Sequence, residues 1–363
     1  MRTRIALTVA LIAATPVPAQ SPHHAADSLM ATYAAANGPG ASLLVMRNGK
    51  VDYIKAYGLA DVTKGTPVAT TTNFRLASLT KQFTATAVMV LEAGHKLGYD
   101  DDITSLLPAL PAFTRGVTVR HLLTHTGGLP DYEDFVPDTQ TAQVHDRDIP
   151  SLIAHVTSAK FPPGTKYDYS NTGYGLLALI VERASGMRFA DFLHDRIVVP
   201  LGMRGTVAFE DGRSVVQQRA FGHSINASGV RTADQSNTSA VLGDGGIYAS
   251  AADLALWDRA IDQHRLVGAA AQRQAWTPPT LQNGAATEYG FGWFVDQDRG
   301  TTRLRHHGES RGFTNGYVKY PERRLSVVVL TNRTGGAPWD IAQRIADLYL
   351  YPSSIERAAP WRP

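Results

Sequence analysis

Two pairs of extended segments, one near each end of the chain, constrain the fold more than any other feature. The first, SLLVMRNGKVDYIKAYGLAD, is interrupted by Asn48 and Gly49, a dipeptide that favours a tight turn between antiparallel strands. The second, GYVKYPERRLSVVVLTN, has its turn predicted at Pro321 to Arg324. A mainly helical pattern separates the two pairs. The order predicts an α+β protein whose antiparallel sheet is built from both chain ends and flanked by helices.

The middle of the chain carries the apolar spacing of helices. The segment NTGYGLLALIVERAS predicts a helix that stops at Gly186, and Ser250 with Asp253 predicts a capping box at the start of another. No internal repeat or linker divides the chain. We therefore expect one domain over residues 20–363, with a sheet lobe of about 25–77 and 240–352 and an inserted, mainly helical lobe of about 78–239.

The chain begins MRTRIALTVALIAATPVPAQS, in which two arginines precede an apolar stretch and small residues end at Ala19. This pattern is typical of a secretory signal peptide over residues 1–19, with a buried first helix as the alternative. The apolar run is too short for a comfortable membrane span. We expect an exported protein, periplasmic or secreted, with no stable membrane span after the leader is removed.

Charge and cysteine content exclude two classes of function. The 35 basic and 32 acidic residues give a formal charge of +3, and loss of the leader would remove two arginines. Net charge therefore offers no case for nucleic-acid binding. The chain contains no cysteine, which rules out thiol catalysis and disulfide bonds. A nucleophile must be sought among the other side chains.

The segment FRLASLTKQFTA, residues 74 to 85, places Ser78 and Lys81 one helical turn apart in the chain's only S-x-x-K. At this spacing the amine can reach the hydroxyl and take its proton, and desolvation can lower the pKa of a buried lysine until it accepts a proton near neutrality. The alternative is a serine that caps the helix beside a solvated lysine.

A second pair, Tyr169 and Asn171, forms the only Y-x-N of the chain in the turn-rich segment PPGTKYDYSNTGYG. A tyrosine beside an ammonium group is a plausible general base, and the asparagine can donate to an acyl amide. The alternative is a surface turn in which the tyrosine only packs.

A third segment, RHHGESRGFTNGYVKYP, leads from His306 and Gly308 into the C-terminal strands. The order S-x-x-K, Y-x-N, H-x-G resembles the serine β-lactamase and penicillin-binding protein superfamily, in its branch of class C-like β-lactamases, esterases and DD-peptidases. VRHLLTHTGGLPDY and GGIYASAADLALW are similar to the same branch. The resemblance covers about residues 25 to 350 and implies a β-lactamase-like fold.

The resemblance also implies roles. Ser78 would be the acylated nucleophile, Lys81 its hydrogen-bonded partner, Tyr169 the general base and Asn171 a substrate-orienting group. The backbone N–H groups of Ser78 and Glu309 would stabilise the oxyanion. Gly308 fits a position where substrate comes close to the backbone. No metal or organic cofactor is expected, and the partner is a small-molecule or peptide acyl substrate.

The chain departs from one version of this pattern because it contains no K-T-G. His306 stands where the lysine would be, and a histidine is mostly neutral at pH 7. This weakens the case for a substrate carboxylate at that position. Arg311 nearby could supply the missing charge.

Three other features allow different functions. GESRG matches a nucleophile elbow at Ser310, but strands rather than a helix are predicted to follow it. His121 and His125 have the spacing of a zinc helix, without the expected glutamate or a third ligand. The acidic, aromatic loop over residues 128–148 is either solvated or a lid over the site.

We therefore expect an exported serine hydrolase that forms an acyl-enzyme at Ser78 on an ester, amide or lactam bond. Esterase, β-lactamase and D-amino-acid peptidase activities share this machinery. The alternative is a catalytically idle relative that only binds peptidoglycan or a peptide.

Overall fold

The structure, a computed structural model, describes residues 21–137, 139–227 and 229–352, so the predicted signal peptide lies outside the described residues. The longer strands occur near both ends of this part of the chain, and short strands occur between them. They are β1 (Ala41–Arg47), β2 (Lys50–Tyr57), β3 (Leu59–Asp61), β4 (Thr66–Pro67), β5 (Phe74–Arg75), β6 (Val207–Ala208), β7 (His223–Asn226), β8 (Gly229–Thr232), β9 (Ile247–Ala249), β10 (Phe294–Asp298), β11 (Thr301–Ser310), β12 (Phe313–Tyr320) and β13 (Leu325–Thr331).

Most helices lie between these two groups of strands. They are α1 (Pro22–Met30), α2 (Lys81–Ala93), α3 (Ile103–Leu106), α4 (Val119–Leu123), α5 (Ile149–Leu152), α6 (Asn171–Ser185), α7 (Phe189–Leu193), α8 (Val199–Leu201), α9 (Leu242–Gly245), α10 (Ala251–Asp262), α11 (Ala269–Ala275) and α12 (Pro338–Leu350). Short 3₁₀ helices at Ala77–Thr80 and Tyr132–Phe135 border the site described below.

The main sheet has six antiparallel strands in the order β10-β11-β12-β13-β1-β2. The first pair, β1 and β2, comes from the start of the chain, and the other four come from its end. This confirms the predicted α+β fold with one sheet built from both chain ends. The join is the pairing of β13 with β1, which runs from Ala41 opposite Thr331 to Arg47 opposite Leu325.

Burial and turn chemistry explain the strands at both ends. Every residue of β13 is buried, as its uninterrupted apolar run SVVVL requires of a central strand covered on both faces. The turn between β1 and β2 has φ of 53° at Asn48 and 72° at Gly49, the left-handed pair that a two-residue antiparallel turn needs. The predicted tight turn is confirmed.

Helices cover both faces of the sheet. On one face α1 and α12 pack together, and Met30, Ile341 and Ile345 lie in the same buried cluster as Leu43 and Val327 of the strands. On the other face α10 contacts β1, β2 and β13. Helices α2, α6 and α9 pack against one another, and the Ala77–Thr80 turn contacts both α9 and β11.

Two helix ends test the predicted stop and start signals. Gly186 ends α6 with a left-handed φ of 70°, as predicted. At α10 the Ser250 hydroxyl accepts from the N–H of Asp253 at 3.1 Å, but the predicted capping box is wrong in its second half. The Asp253 carboxylate instead accepts from the Gly205 N–H and the Thr206 hydroxyl at 2.9 and 2.8 Å, because these tertiary donors lie within its reach.

Candidate active site

Ser78 lies in the 3₁₀ turn that precedes α2. Its hydroxyl oxygen is 3.0 Å from Nζ of Lys81, and no side chain caps the start of α2. Ser78 is therefore a partner of Lys81 rather than the capping residue of the alternative interpretation. The preceding residue, Ala77, has a left-handed φ of 49°, a conformation that costs free energy in a residue other than glycine and is commonest at functional sites.

A side chain of β12 holds the segment before the nucleophile. The Asn315 amide donates to the carbonyl oxygens of Arg75 and Leu76 at 2.9 and 3.1 Å, and its oxygen accepts from the N–H of Thr331 at 3.1 Å. All three hydrogen bonds are buried, so water does not compete for the groups that form them. Asn315 thus fixes the strained turn at Ala77, a role that its place in a predicted strand does not indicate.

Lys81 is fully buried and its amine meets three oxygens. Besides Ser78, they are Oδ1 of Asn171 at 2.9 Å and the carbonyl oxygen of Asp244 at 3.0 Å. These two oxygens can only accept, so they engage two amine hydrogens. The third position of the amine faces the Ser78 hydroxyl, to which it donates as an ammonium or from which it accepts as a free amine.

The Y-x-N pair lies at the start of α6. Tyr169 is in the extended segment before the helix, and its ring centroid is 4.9 Å from Nζ of Lys81. Asn171 is the first helical residue, and its N–H donates to Oδ2 of Asp131 at 3.0 Å. The packing of α2 against α6 brings the two motifs together, although 90 positions separate Lys81 from Asn171.

The last motif lies on β11, on the other side of the nucleophile. Glu309 pairs with Thr314 of β12, while β10 on the opposite edge stops where Phe294 pairs with Arg305. Ser78, Glu309 and Arg311 line one cavity. Gly308 touches protein rather than open space: a methyl group on its Cα would be 2.2 Å from the Leu76 carbonyl oxygen. The turn before Ser78 is a second reason for a glycine here, and the approach of substrate to Gly308 stays a prediction.

His306 is buried and both of its ring nitrogens are hydrogen-bonded. Nδ1 is 2.6 Å from the carbonyl oxygen of His307, which can only accept, so Nδ1 carries the proton. Nε2 then accepts from the hydroxyl of Tyr289 at 2.8 Å. Burial, followed by the nearby charge of Lys81, holds the pKa of His306 well below its usual value. The ring is neutral, and contact with a substrate carboxylate would require one of these bonds to break.

The cavity beside Ser78 has a volume of about 260 Å³. It contains charged and polar groups that the sequence analysis did not assign, from β5, from the 128–148 loop and from α9. Its lining residues are Arg75, Ala77, Ser78, Tyr132, Glu133, Asn171, Ser236, Thr238, Ser239, Asp244, Gly245, Glu309, Ser310 and Arg311. The acidic loop therefore reaches the site through Tyr132 and Glu133.

The other candidate motifs, GESRG and the pair His121 and His125, lie in surroundings that do not fit a nucleophile elbow or a zinc helix. Ser310 ends β11 and is followed by a turn into β12, so the strand-to-helix context of a nucleophile elbow is missing. Helix α4 ends at Leu123, which leaves His121 inside it and His125 beyond it. Nδ1 of each histidine accepts a backbone N–H, from Thr118 and Ser170 respectively. Among the described residues no group of three or more metal-binding side chains is assembled.

Comparison with known proteins places this geometry in a family. The sequence matches the profile of the family described as Beta-lactamase over residues 26–350. The chain belongs to the Beta-lactamase family. It is 32% identical over 338 residues to penicillin-binding protein 4* of Bacillus subtilis, with 84% of this chain and 74% of that protein covered. This result confirms the resemblance inferred from the three motifs.

Other members of the Beta-lactamase family extend the comparison. A D-aminopeptidase of Cereibacter sphaeroides is 32% identical over 303 residues, 83% of this chain, and the chain spans 58% of the length of that protein. The octameric penicillin-binding protein homologue of Pyrococcus abyssi has a TM-score of 0.78 at 27% identity, with 91% of this chain and 76% of the other covered. The protein is a serine hydrolase of the β-lactamase and penicillin-binding protein superfamily.

No helix in the described ranges is long and apolar enough to cross a membrane.

Proposed function

We propose that this protein hydrolyses amides or short peptides through an acyl-enzyme at Ser78. The observation that carries the proposal is the 3.0 Å contact between the Ser78 hydroxyl and the buried amine of Lys81, in a cavity open to substrate. Serine is a weak nucleophile until a neighbouring base removes its proton. The amine of Lys81, which Asn171 and Asp244 hold in place, lies beside both Ser78 and the ring of Tyr169, the proposed base.

In the proposed reaction the Ser78 oxygen attacks the substrate carbonyl carbon. Tyr169, as a phenolate beside Lys81, takes the hydroxyl proton, and the pair returns it to the leaving nitrogen when the amide bond breaks. The N–H groups of Ser78 and Glu309 donate to the oxyanion. A water molecule then attacks the acyl-enzyme in the same way and restores Ser78. Ser78 and Glu309 line the cavity, and the amine of Lys81 contacts the Ser78 hydroxyl.

Charges around the cavity suggest the substrate class. Glu133 is exposed on its rim and Asp244 is buried in its wall. Carboxyl groups in the same cavity as the nucleophile suit an acyl residue with a free amino group, as in an amino-acid amide or a peptide N-terminus. The D-aminopeptidases among the relatives support the same class, with D stereochemistry.

A neutral ester is the second candidate, favoured by His306. The position that holds a lysine in one version of the family pattern is here an uncharged ring with both nitrogens bonded. Recognition of a carboxylate beside the scissile bond, as in penicillins, then depends on Arg75 or Arg311. We expect a higher kcat/KM for esters than for lactams.

A substrate panel tests the proposal. D-alanine and L-alanine p-nitroanilides, p-nitrophenyl acetate and nitrocefin are compared by kcat/KM, with Ser78→Ala as the control. In Glu133→Gln we expect KM for the D-alanine substrate to rise about tenfold, the loss of one charge contact, while p-nitrophenyl acetate is unaffected. An equal effect on both substrates would contradict the ammonium contact.

A fluorophosphonate probe separates the hydrolase from an idle binding protein. We expect the intact mass of the wild type to increase by one adduct and that of Ser78→Ala to remain unchanged. Absence of labelling would favour the binding alternative. Export is tested separately by the mass of the mature protein from the native host, where we expect a chain that begins near Gln20.

A further inference from the structure

His125 is a buried residue close to the reacting groups that the proposed mechanism does not use. It lies just after α4 in the segment LTHTGGLP, with a left-handed φ of 56°. Its ring centroid is 4.2 Å from that of Tyr169 and 4.5 Å from that of Tyr289, the residue that donates to His306. The imidazole of His125 therefore lies between Tyr169, the proposed base, and the hydrogen-bonded pair of Tyr289 and His306.

Two hydrogen bonds connect His125 to the residues on either side of Tyr169. The carbonyl oxygen of His125 accepts from the N–H of Asp168 at 2.9 Å. Its ring atom Nδ1 accepts from the N–H of Ser170 at 3.1 Å. One residue thus holds both amides that flank the tyrosine.

This attachment matters because the chain is irregular here. Residues 166–170 belong to neither a helix nor a strand, so no ladder of backbone bonds fixes them. The second flanking residue, Ser170, is also the cap of α6, where its hydroxyl accepts from the Gly173 N–H at 3.4 Å. The bond to His125 consequently fixes Tyr169 and the first turn that carries Asn171.

The hydrogen-bond pattern defines the state of the ring. Because the Ser170 N–H donates to Nδ1, that atom carries no proton, and a neutral ring has its hydrogen on Nε2. Nε2 is buried and has no hydrogen-bond partner among the described residues. Burial and the charge of Lys81 favour the neutral form as well. Only an acceptor at the Nδ1 position is needed for the contact with Ser170.

We propose that His125 is a positioning residue that holds Tyr169 in line with Ser78 and Lys81. The inference rests on the proposed role of Tyr169 as the base. A residue that merely filled space could be replaced by leucine without loss of catalysis. A positioning residue could be replaced only by a side chain that keeps the acceptor.

Three variants separate these roles. In His125→Asn the side-chain oxygen takes the place of Nδ1, and asparagine tolerates a left-handed φ. His125→Gln carries its oxygen too far out, and His125→Leu has none. The matched control is His121→Leu, which removes the contact of His121 with the Thr118 N–H at the start of α4 and destabilises the same region without a bond to the Tyr169 segment.

The first measurement is the second-order rate constant for acylation of Ser78 by the fluorophosphonate, well below the unfolding temperature. We expect about a tenfold to hundredfold loss in the leucine and glutamine variants, since a misplaced general base forfeits part of a contribution of about 10² to 10⁴. The asparagine variant and His121→Leu should remain within about threefold of the wild type. Equal losses for asparagine and leucine, or no loss for leucine, would overturn the proposal.

A second measurement does not depend on the chemistry. 3-Fluorotyrosine at position 169 should give one sharp ¹⁹F resonance in the wild type and in His125→Asn, and a shifted or broadened one in His125→Leu. If the wild type is not labelled at all, the proposed function fails while this spectrum still decides the positioning role. An unchanged resonance in the leucine variant would overturn that role.

Discussion

Gly308 of β11 lies directly against the carbonyl group of Leu76, two residues before the nucleophile. A methyl group on the Gly308 Cα would sit 2.2 Å from the Leu76 oxygen and 3.3 Å from the Ser78 nitrogen. No side chain fits at the first of these distances, so the backbone of β11 and that of the Ser78 turn touch. The separation between the two proposed oxyanion donors, the amides of Ser78 and Glu309, is therefore set by the absence of a side chain at position 308.

We expect Gly308→Ala to move β11 away from Ser78 and to reduce the acylation rate by about 10² to 10³, the usual loss when one oxyanion donor is removed. The rate is measured with the fluorophosphonate and a p-nitrophenyl ester. Gly268→Ala is the control, because nothing lies within 4 Å of an added methyl group there. A Gly308→Ala variant with normal rates would mean that the strand can retreat without disturbing the donors.

Four serines among the described residues line the cavity, and two of them, Ser78 and Ser310, are candidate nucleophiles that replacement distinguishes. Ser78→Ala should abolish covalent labelling and turnover while the protein stays folded, because no neighbouring group can replace the hydroxyl bonded to Lys81. Ser310→Ala should keep most of the activity, since its buried hydroxyl has no hydrogen-bond partner in the described part of the chain. Labelling rates and circular dichroism of both variants provide the test. The reverse outcome would restore the elbow interpretation of GESRG.

The sequence predicted the fold and the three motifs because each depends on local order in the chain. Asn48 and Gly49 specify their turn by conformation alone, and S-x-x-K places Lys81 beside Ser78 by helical spacing. The carbonyl of Asp244, the clamp of Asn315 and the hydroxyl of Tyr289 act through tertiary contacts with residues far away in the chain. No local pattern indicates such contacts, and the contact of Gly308 with the backbone at Leu76 could not be predicted for the same reason.

A buried ionic cluster on the α10 side of the sheet should contribute strongly to stability. Nζ of Lys319 is 3.0 Å from Asp258 and 2.5 Å from Asp262, and the hydroxyls of Tyr317 and Ser326 also donate to Asp258. Removing one partner leaves a buried charge unpaired, which costs about 3 to 5 kcal/mol.

We therefore expect Lys319→Met to lower the free energy of unfolding in urea by about that amount, with kcat per folded molecule unchanged. Lys64→Met is the matched control, because the Lys64 side chain is exposed and its Nζ is 3.9 Å from Asp61; pairs at the surface contribute about 0 to 1 kcal/mol. Equal losses in the two variants would contradict the role of burial.

Asp244 should make stability depend on pH in the neutral range. Burial raises the pKa of its carboxyl group to about 7 from 3.8, and this effect outweighs the nearby charge of Lys81, which lowers the pKa, while Glu133 raises it further. Tyr132 donates to Oδ2 at 3.0 Å. Since the folded pKa is the higher one, the folded protein retains a proton that the unfolded chain has lost between these two values.

The stabilisation from this proton is complete below about pH 4 and decreases as the pH rises towards 7, by roughly 1.4 kcal/mol for each pKa unit between the two states. The asparagine side chain of Asp244→Asn does not titrate. We therefore expect the free energy of unfolding of this variant to decrease less between pH 5 and 7 than that of the wild type. Asp146, whose pKa burial also raises to about 7, accounts for the slope that remains. Urea denaturation at several pH values measures both proteins.

Asp191→Asn is the control, because pairing with Arg188 lowers the pKa of this exposed carboxyl group and its removal should leave the slope above pH 5 unchanged. If the free energy of unfolding of Asp244→Asn decreased with pH as steeply as that of the wild type, Asp244 would already be ionised in the folded protein, with Lys81 as its effective counter-ion.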